Sequence, residues 1–204
     1  MTAGARRHLG RDPVMRRLIR RHGVYRLEAL SGTPYEALTR AIAHQQLNGR
    51  AAETILTRFV GLFGNGRFPS PAAVAAASPA RLRLAGFSRG KVKAIKDIAR
   101  HALKGTVPTR RAALRLSDEE IIARLTPIYG VGRWTVEMLL IFTLGRPDVL
   151  PVDDFGVREG YRVAYGRRLR PSPKILRAYG ERWKPHRSTA AWYLWRAAND
   201  ARKK

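Results

Sequence analysis

The sequence predicts an all-α chain of two helical lobes, one over approximately residues 34–145 and the other built from residues 1–33 together with 146–204. Three observations predict it. Apolar residues recur at three- and four-residue spacing, as in Tyr35, Leu38 and Ile42 or Val92, Ile95, Ile98 and Ala99. Helix-capping signals stand ahead of such stripes: Asp12-Pro13, Thr33-Pro34, Ser70, Ser78 and Ser117-Asp118-Glu119-Glu120. A length of 204 residues suits one helical domain with a substantial core.

Residues 1–10 read as loose. Asp12 caps and Pro13 opens a basic amphipathic helix reaching Arg21, with Val14, Leu18 and Ile19 set against Arg16, Arg17 and Arg20. Thr33-Pro34 restarts the chain, and Tyr35, Leu38, Ile42 and Ala43 form the buried stripe of a helix ending in His44-Gln45-Gln46-Leu47-Asn48-Gly49. Residues 51–62 give a third helix, closed by Gly64-Asn65-Gly66, and two short helices follow over 71–77 and 79–84. Next, Leu84-Ala85-Gly86-Phe87-Ser88-Arg89-Gly90-Lys91 sets an apolar helix end, a glycine turn and a basic helix in succession. Gly86 and Lys91 form a candidate phosphate clamp there; ordinary helix punctuation with Lys91, Lys93 and Lys96 on a solvated face reads equally well. Residues 105–111 read as a linker, and the capped acidic turn at Ser117 leads into the central stretch. Beyond it, a helix over 156–165, a basic connector over 167–173 and a last segment with Trp183, Trp192 and Trp195 complete the chain.

Lys and Arg number 40 against 15 Asp and Glu, a net charge of +25, which points to a polyanionic partner, nucleic acid being the commonest. A hydrophobic share of 45% fits a packed enzyme better than a basic tail. No run approaches the roughly 18 apolar residues of a membrane span. The absence of cysteine removes disulfides, thiolate nucleophiles and zinc-thiolate sites. No apolar signal segment opens the chain, so an intracellular protein is expected: cytoplasmic and nucleoid-associated in a bacterium, nuclear in a eukaryote.

The central stretch runs from Leu125 to Arg158. Gly130-Val131-Gly132 stands between an apolar helix end and a helix that begins near Arg133, and reads as a helix-hairpin-helix turn. The N–H groups opening the second helix have no intrahelical partner and lie at the positive end of its dipole, which suits a phosphate. Arg133 and Thr135 sit in that first turn. The helix runs from Arg133 to Leu144, with Val136, Leu139, Leu140 and Phe142 burying it and Trp134 and Met138 sharing a face. Then Pro151-Val152-Asp153-Asp154-Phe155 puts two carboxylates at the start of another helix in an overwhelmingly basic chain. Such a carboxylate is a cap or a working group, and with two of them one can be each.

Gly-Val-Gly-Arg-Trp-Thr, followed twenty residues after Trp134 by the second Asp of Val-Asp-Asp-Phe-Gly-Val-Arg, resembles the helix-hairpin-helix Gly/Pro-Asp (HhH-GPD) DNA glycosylases of the 3-methyladenine DNA glycosylase II (AlkA) type. Gln45-Gln46-Leu47 at a helix end is similar to that family, as is Trp183-Lys184-Pro185-His186-Arg187-Ser188 followed by Trp195. The resemblance implies two helical lobes with a DNA-binding cleft, in the compact form without the strand-rich amino-terminal domain of larger AlkA enzymes. Its hairpin register selects Asp154 as the catalytic carboxylate, with Asp153 as cap or support; counting back from Arg158 by the endonuclease III pattern selects Asp153 instead. Gln46 matches the residue that fills the gap left by a rotated nucleotide, although a polar helix end beside Gly49 would read the same way. Trp134, Trp195, Met138, His44 and Phe155 are the base-pocket candidates, with core packing the other role open to Trp195. Gly130, Gly132, Arg133, Thr135, Gly86, Lys91 and Gln46 are the DNA-contact candidates.

Family members that also cut the backbone carry a lysine two residues past the second hairpin glycine, where this chain has Trp134. The resemblance therefore implies a monofunctional enzyme, acting as a monomer on double-stranded DNA that contains alkylated bases. The missing cysteines remove the iron-sulfur cluster of other superfamily members. No cofactor or metal is called for, and the hairpin carbonyls offer at most a seat for a monovalent cation. Two other readings remain: a helix-hairpin-helix protein that binds DNA or lesions without cutting, and a glycosylase for uracil or oxidised bases.

Overall fold

In the computed structural model, which describes residues 3–25, 31–47, 49–64 and 66–202, the caps form where the residues dictate. Asp12 accepts from the N–H groups of Val14 and Met15, Thr33 from Glu36, Ser70 from Ala73 and Ser78 from Arg81. Ser117 and Glu120 close a reciprocal capping box. Among the described residues the α-helices are α1 (Ala3–Leu9), α2 (Pro13–His22), α3 (Pro34–His44), α4 (Gly49–Gly61), α5 (Pro71–Ala76), α6 (Pro79–Arg83), α7 (Arg89–Leu103), α8 (Arg110–Ala113), α9 (Asp118–Leu125), α10 (Arg133–Met138), α11 (Phe155–Ala164), α12 (Pro173–Gly180) and α13 (Arg187–Ala201). The described residues contain no strand and no helix long and apolar enough to cross a membrane. Asn48 and Asn65, named above in two turns, lie outside them.

The chain divides into two compact units, one of Met1–Ala29 with Gly145–Lys204 and the other of Leu30–Leu144. In the first, Leu9, Met15, Leu18, Val157, Tyr161, Leu176, Trp183, Tyr193 and Leu194 form one buried cluster. Asp12 does more than cap: its other oxygen accepts from Tyr165 Oη at 2.6 Å, with Tyr179 Oη and Trp183 Nε1 at 3.4 Å. Within the stretch expected to be loose, Ala3–Leu9 is helical. Ala5 and Leu9, four apart, are buried and hold α1 to this unit, a two-residue stripe hidden in the sequence by the arginines around it.

The second unit is built around α3 and α7. Phe59 of α4 meets Phe63, Phe68 and Phe87 edge to face at 5.4–5.7 Å, filling the space between α4 and the start of α7. The linker expected over 105–111 is cut short by α8, which Thr109 caps. The helix expected to run from Arg133 to Leu144 changes winding at Leu139. Leu139–Thr143 is a π-turn, and the Leu144 N–H donates to the Leu139 carbonyl.

Close packing in the first unit depends on Gly160. A Cβ there would lie 1.9 Å from the Leu194 carbonyl oxygen on α13, so only glycine lets α11 and α13 touch. Gly160→Ala is expected to cost about 3 kcal/mol in urea unfolding, because backbone rather than a pliable side chain stands in the way. Gly61→Ala, with nothing within 4 Å, leaves stability unchanged or raises it by about 0.5 kcal/mol.

Candidate functional site

Buried Pro151 and Val152 anchor the approach to α11, and the Asp154 N–H donates to the Pro151 carbonyl at 3.1 Å. Asp154 then takes the extended conformation of an N-cap, at φ −67° and ψ 125°. Its Oδ1 accepts twice, from the Val157 N–H at 2.7 Å and from Trp195 Nε1 at 2.7 Å. The division of labour expected for the acidic pair is thus corrected: Asp154 itself is the cap, while Asp153 is exposed. The physical reason is register, since only a residue three before Val157 reaches the N–H that needs an acceptor.

Trp195 is half-buried on α13, with its N–H edge on the carboxylate. Gly156 makes this contact possible: a Cβ at 156 would stand 2.7 Å from Trp195 Cδ1 and 3.1 Å from Asp154 Oδ1. The sequence reading missed Gly156 and Gly160. The available signal was two glycines four apart inside an apolar helix, the spacing at which a helix accepts a neighbour's backbone. Phe155, proposed for the base pocket, is 52% exposed. The guanidinium of Arg170 covers its ring at 4.4 Å, so a cation occupies the face a base would stack on.

In the second unit, Gly130 has φ +79°, and a Cβ there would meet Ala94 Cβ at 2.7 Å, so the hairpin needs glycine for both its turn and its fit against α7. Gly132 begins α10 without any side-chain cap bond. Trp134, Met138 and Phe142 are half-buried at four-residue spacing, forming one partly open apolar stripe. Thr135 is buried, and its Oγ1 accepts from Gln45 Nε2 at 3.1 Å rather than facing a phosphate. Arg133 is held by Glu119 and Glu137, which raise its pKa further, chiefly through the Glu119 bond. Two carboxylates on one guanidinium leave little of its charge for DNA, a correction to its expected role.

The turn after α3 is fastened to this hairpin. Gln45 Nε2 donates to the Gly130 carbonyl at 3.1 Å as well as to Thr135, and Lys91 Nζ donates to the carbonyls of Ala43 and Gln45 at 2.9 and 2.8 Å. Lys91 is therefore an internal clamp and not a surface phosphate ligand; its burial lowers its pKa. Gly86, its partner in the expected clamp, turns the chain at φ +103° with Ile55 behind it. Gln46 is exposed and sits at φ +57°, the left-handed region that a side chain rarely adopts. His44 is paired with Glu53 at 3.1 Å across the same turn. Gln45 was the residue the sequence did not single out, since nothing in a Gln-Gln pair tells which amide faces inward.

A family model for the HhH-GPD superfamily of base excision DNA repair proteins matches residues 39–186. The chain is 43% identical over 191 residues to DNA-3-methyladenine glycosylase 1 of Schizosaccharomyces pombe, covering 93% of this chain and 84% of that protein. The structure of the fission-yeast 3-methyladenine DNA glycosylase Mag1 in complex with abasic DNA matches with a TM-score of 0.91, 43% identity and 95% of each chain covered. The DNA-3-methyladenine glycosidase of Bacillus halodurans matches at TM-score 0.81 and 30% identity, over all of this chain and 92% of that one.

If Lys91 is an internal clamp, Lys91→Met removes both of its carbonyl bonds, and urea unfolding is expected to show a loss of about 2 kcal/mol. Arg89→Met, two residues away and exposed, is expected to stay within about 0.5 kcal/mol of the parent.

Proposed function

Because the chain belongs to the HhH-GPD superfamily of base excision DNA repair proteins, we propose that it is a monofunctional DNA glycosylase that excises alkylated purines of the 3-methyladenine and 7-methylguanine type from duplex DNA. The observation that carries this reading is the carboxylate of Asp154, fixed through one oxygen by a helix N-terminus and an indole N–H. A carboxylate held in that way cannot swing aside when a sugar approaches, so its charge is aimed before the reaction begins.

The base leaves the stack, and Gln46 fills the gap it vacates. The bond between C1′ and the purine nitrogen breaks with its electron pair going to the base, which neutralises the positive charge that alkylation gave it. The deoxyribose becomes oxocarbenium-like, Asp154 stabilises that charge, and water adds at C1′ while its proton leaves through the carboxylate or solvent. No general acid is required, since the leaving group departs neutral. A cationic base is drawn to aromatic faces, work for which Trp195 stands in the same unit as Asp154. Tryptophan at 134 replaces the lysine whose amine attacks C1′ in the strand-cutting members, so the abasic strand stays intact. No step of this reaction is assigned to a cofactor or a cation.

Incubated with methylated duplex DNA, the protein is expected to release free 3-methyladenine and 7-methylguanine, identified by chromatography, without borohydride-trapped enzyme. Asp154→Asn keeps the cap, because asparagine caps as well as aspartate. It should slow excision at least about 100-fold while binding DNA normally. Undiminished turnover in that variant would falsify the assignment. Trp195→Phe keeps the ring and loses the N–H, and a fall of about 10-fold in the single-turnover rate is expected from the missing bond to a charged group.

A further inference from the structure

The exposed side of α7 carries a row of cations that the proposed reaction does not use. Arg89, Lys93, Lys96 and Arg100 follow one another at four, three and four residues, so they lie within about 60° around the helix axis and extend about 16 Å along it. Val92, Ile95, Ile98 and Ala99 are buried at the same time. The four cations, together with Pro79 and Val92, line an open groove of about 290 Å³.

Two of the four are held in place by the protein. Lys96 Nζ donates to the carbonyls of Ala75 and Ala77 at the end of α5, neutral acceptors that leave its charge uncancelled. Arg100 pairs with Asp97 at 3.0 Å. Lys93 stands 4.0 Å from the ring centroid of exposed Tyr129, the residue just before Gly130, and the Tyr129 N–H donates to Asp97 at 2.9 Å. The row thus starts beside the hairpin and is tied to it by two interactions. Arg89, Lys93 and Lys96 have no carboxylate partner among the residues that line the groove.

We infer that this groove is a second seat for the sugar-phosphate backbone of duplex DNA, taking phosphates beyond the one suited to the hairpin. One strand of B-DNA offers a charge every 3.4 Å, so about 16 Å spans four or five phosphates, of which two or three face any one side. Cations of one sign along a concave wall focus the potential on such a line of charge. Two of them are already ordered, so binding costs less side-chain entropy there. An apolar floor of Pro79 and Val92 suits the sugar. The inference rests on DNA as the partner but not on the chemistry assigned to Asp154.

The test uses the full chain and undamaged duplex DNA, so it reads binding separately from excision. Arg89→Ala/Lys93→Ala removes two exposed cations and spares Lys96 and Arg100, which hold α5 and Asp97. Anisotropy titrations between roughly 50 and 200 mM salt are expected to give a log-affinity slope shallower by about 1.8, or 0.9 for each phosphate no longer neutralised. The single-turnover excision rate at saturating DNA is expected to stay as in the parent. Arg111→Ala/Arg115→Ala, at exposed positions on α8 and just after it, removes equal charge and is expected to keep the parental slope. An unchanged slope in the first variant, or an equal loss in both, overturns the groove; failure of the parent to release bases would instead count against the proposed reaction.

Discussion

The arrangement at Asp154 depends on one oxygen being shared by two donors. Val157 needs an acceptor because it opens a helix, and Trp195 needs one because its indole N–H is drawn toward the interior on α13. Satisfying both at Oδ1 fixes where α11 begins and how α13 lies across it. The fit is possible only because Gly156 and Gly160 present no side chain on the shared side. Helix packing and carboxylate orientation are therefore one constraint, and a change in either disturbs the other.

The second unit solves a different problem, that of holding a glycine turn still. The two glycines of a Gly-Val-Gly segment have more backbone freedom than other residues, and freedom is costly where a ligand must be met in one geometry. Here the hairpin is held on two sides: Gln45 bonds the Gly130 carbonyl, and Asp97 accepts the Tyr129 N–H. Burial opposes the charge on Asp97, but the Tyr129 and Arg100 bonds and the nearby His101 outweigh it and leave its pKa lowered. Lys91 fastens the adjoining turn, leaving Gln46 outside in a left-handed conformation. Strain of that kind persists only where the surroundings impose it, and the three bonded neighbours Ala43, Gln45 and Gly130 are what impose it.

Helices, caps and the hairpin were legible because each depends on residues close in sequence. Asp12-Pro13, Ser70, Ser78 and the box at Ser117 acted as their chemistry predicts. What was not legible depends on which partner a side chain finds. Lys91 read equally as a phosphate contact and as a solvated cation, and it serves two carbonyls forty-six and forty-eight residues away. Arg133 sits in the right turn for a phosphate, but Glu119 on the preceding helix reaches it first. The π-turn at Leu139 and the docking of Ala5 and Leu9 likewise follow from tertiary packing, which overrides local spacing.

The scarcity of acid in this chain gives the carboxylates their meaning. With 15 Asp and Glu among 40 Lys and Arg, almost any acid can find a guanidinium, and several do: Glu36 with Arg40, Asp148 with Arg187, Glu159 with Arg162, Glu119 and Glu137 with Arg133. Such pairs cancel charge. Asp154 Oδ1 is held by donors of another kind, two neutral N–H groups at 2.7 Å. Such donors fix the direction in which a carboxylate oxygen points. Asp12 is bonded in the same neutral way by two backbone N–H groups, Tyr165, Tyr179 and Trp183, yet its cluster of rings fills the space a substrate would need. The difference between a structural and a working carboxylate in this protein is thus carried less by the donors than by what stands beyond them.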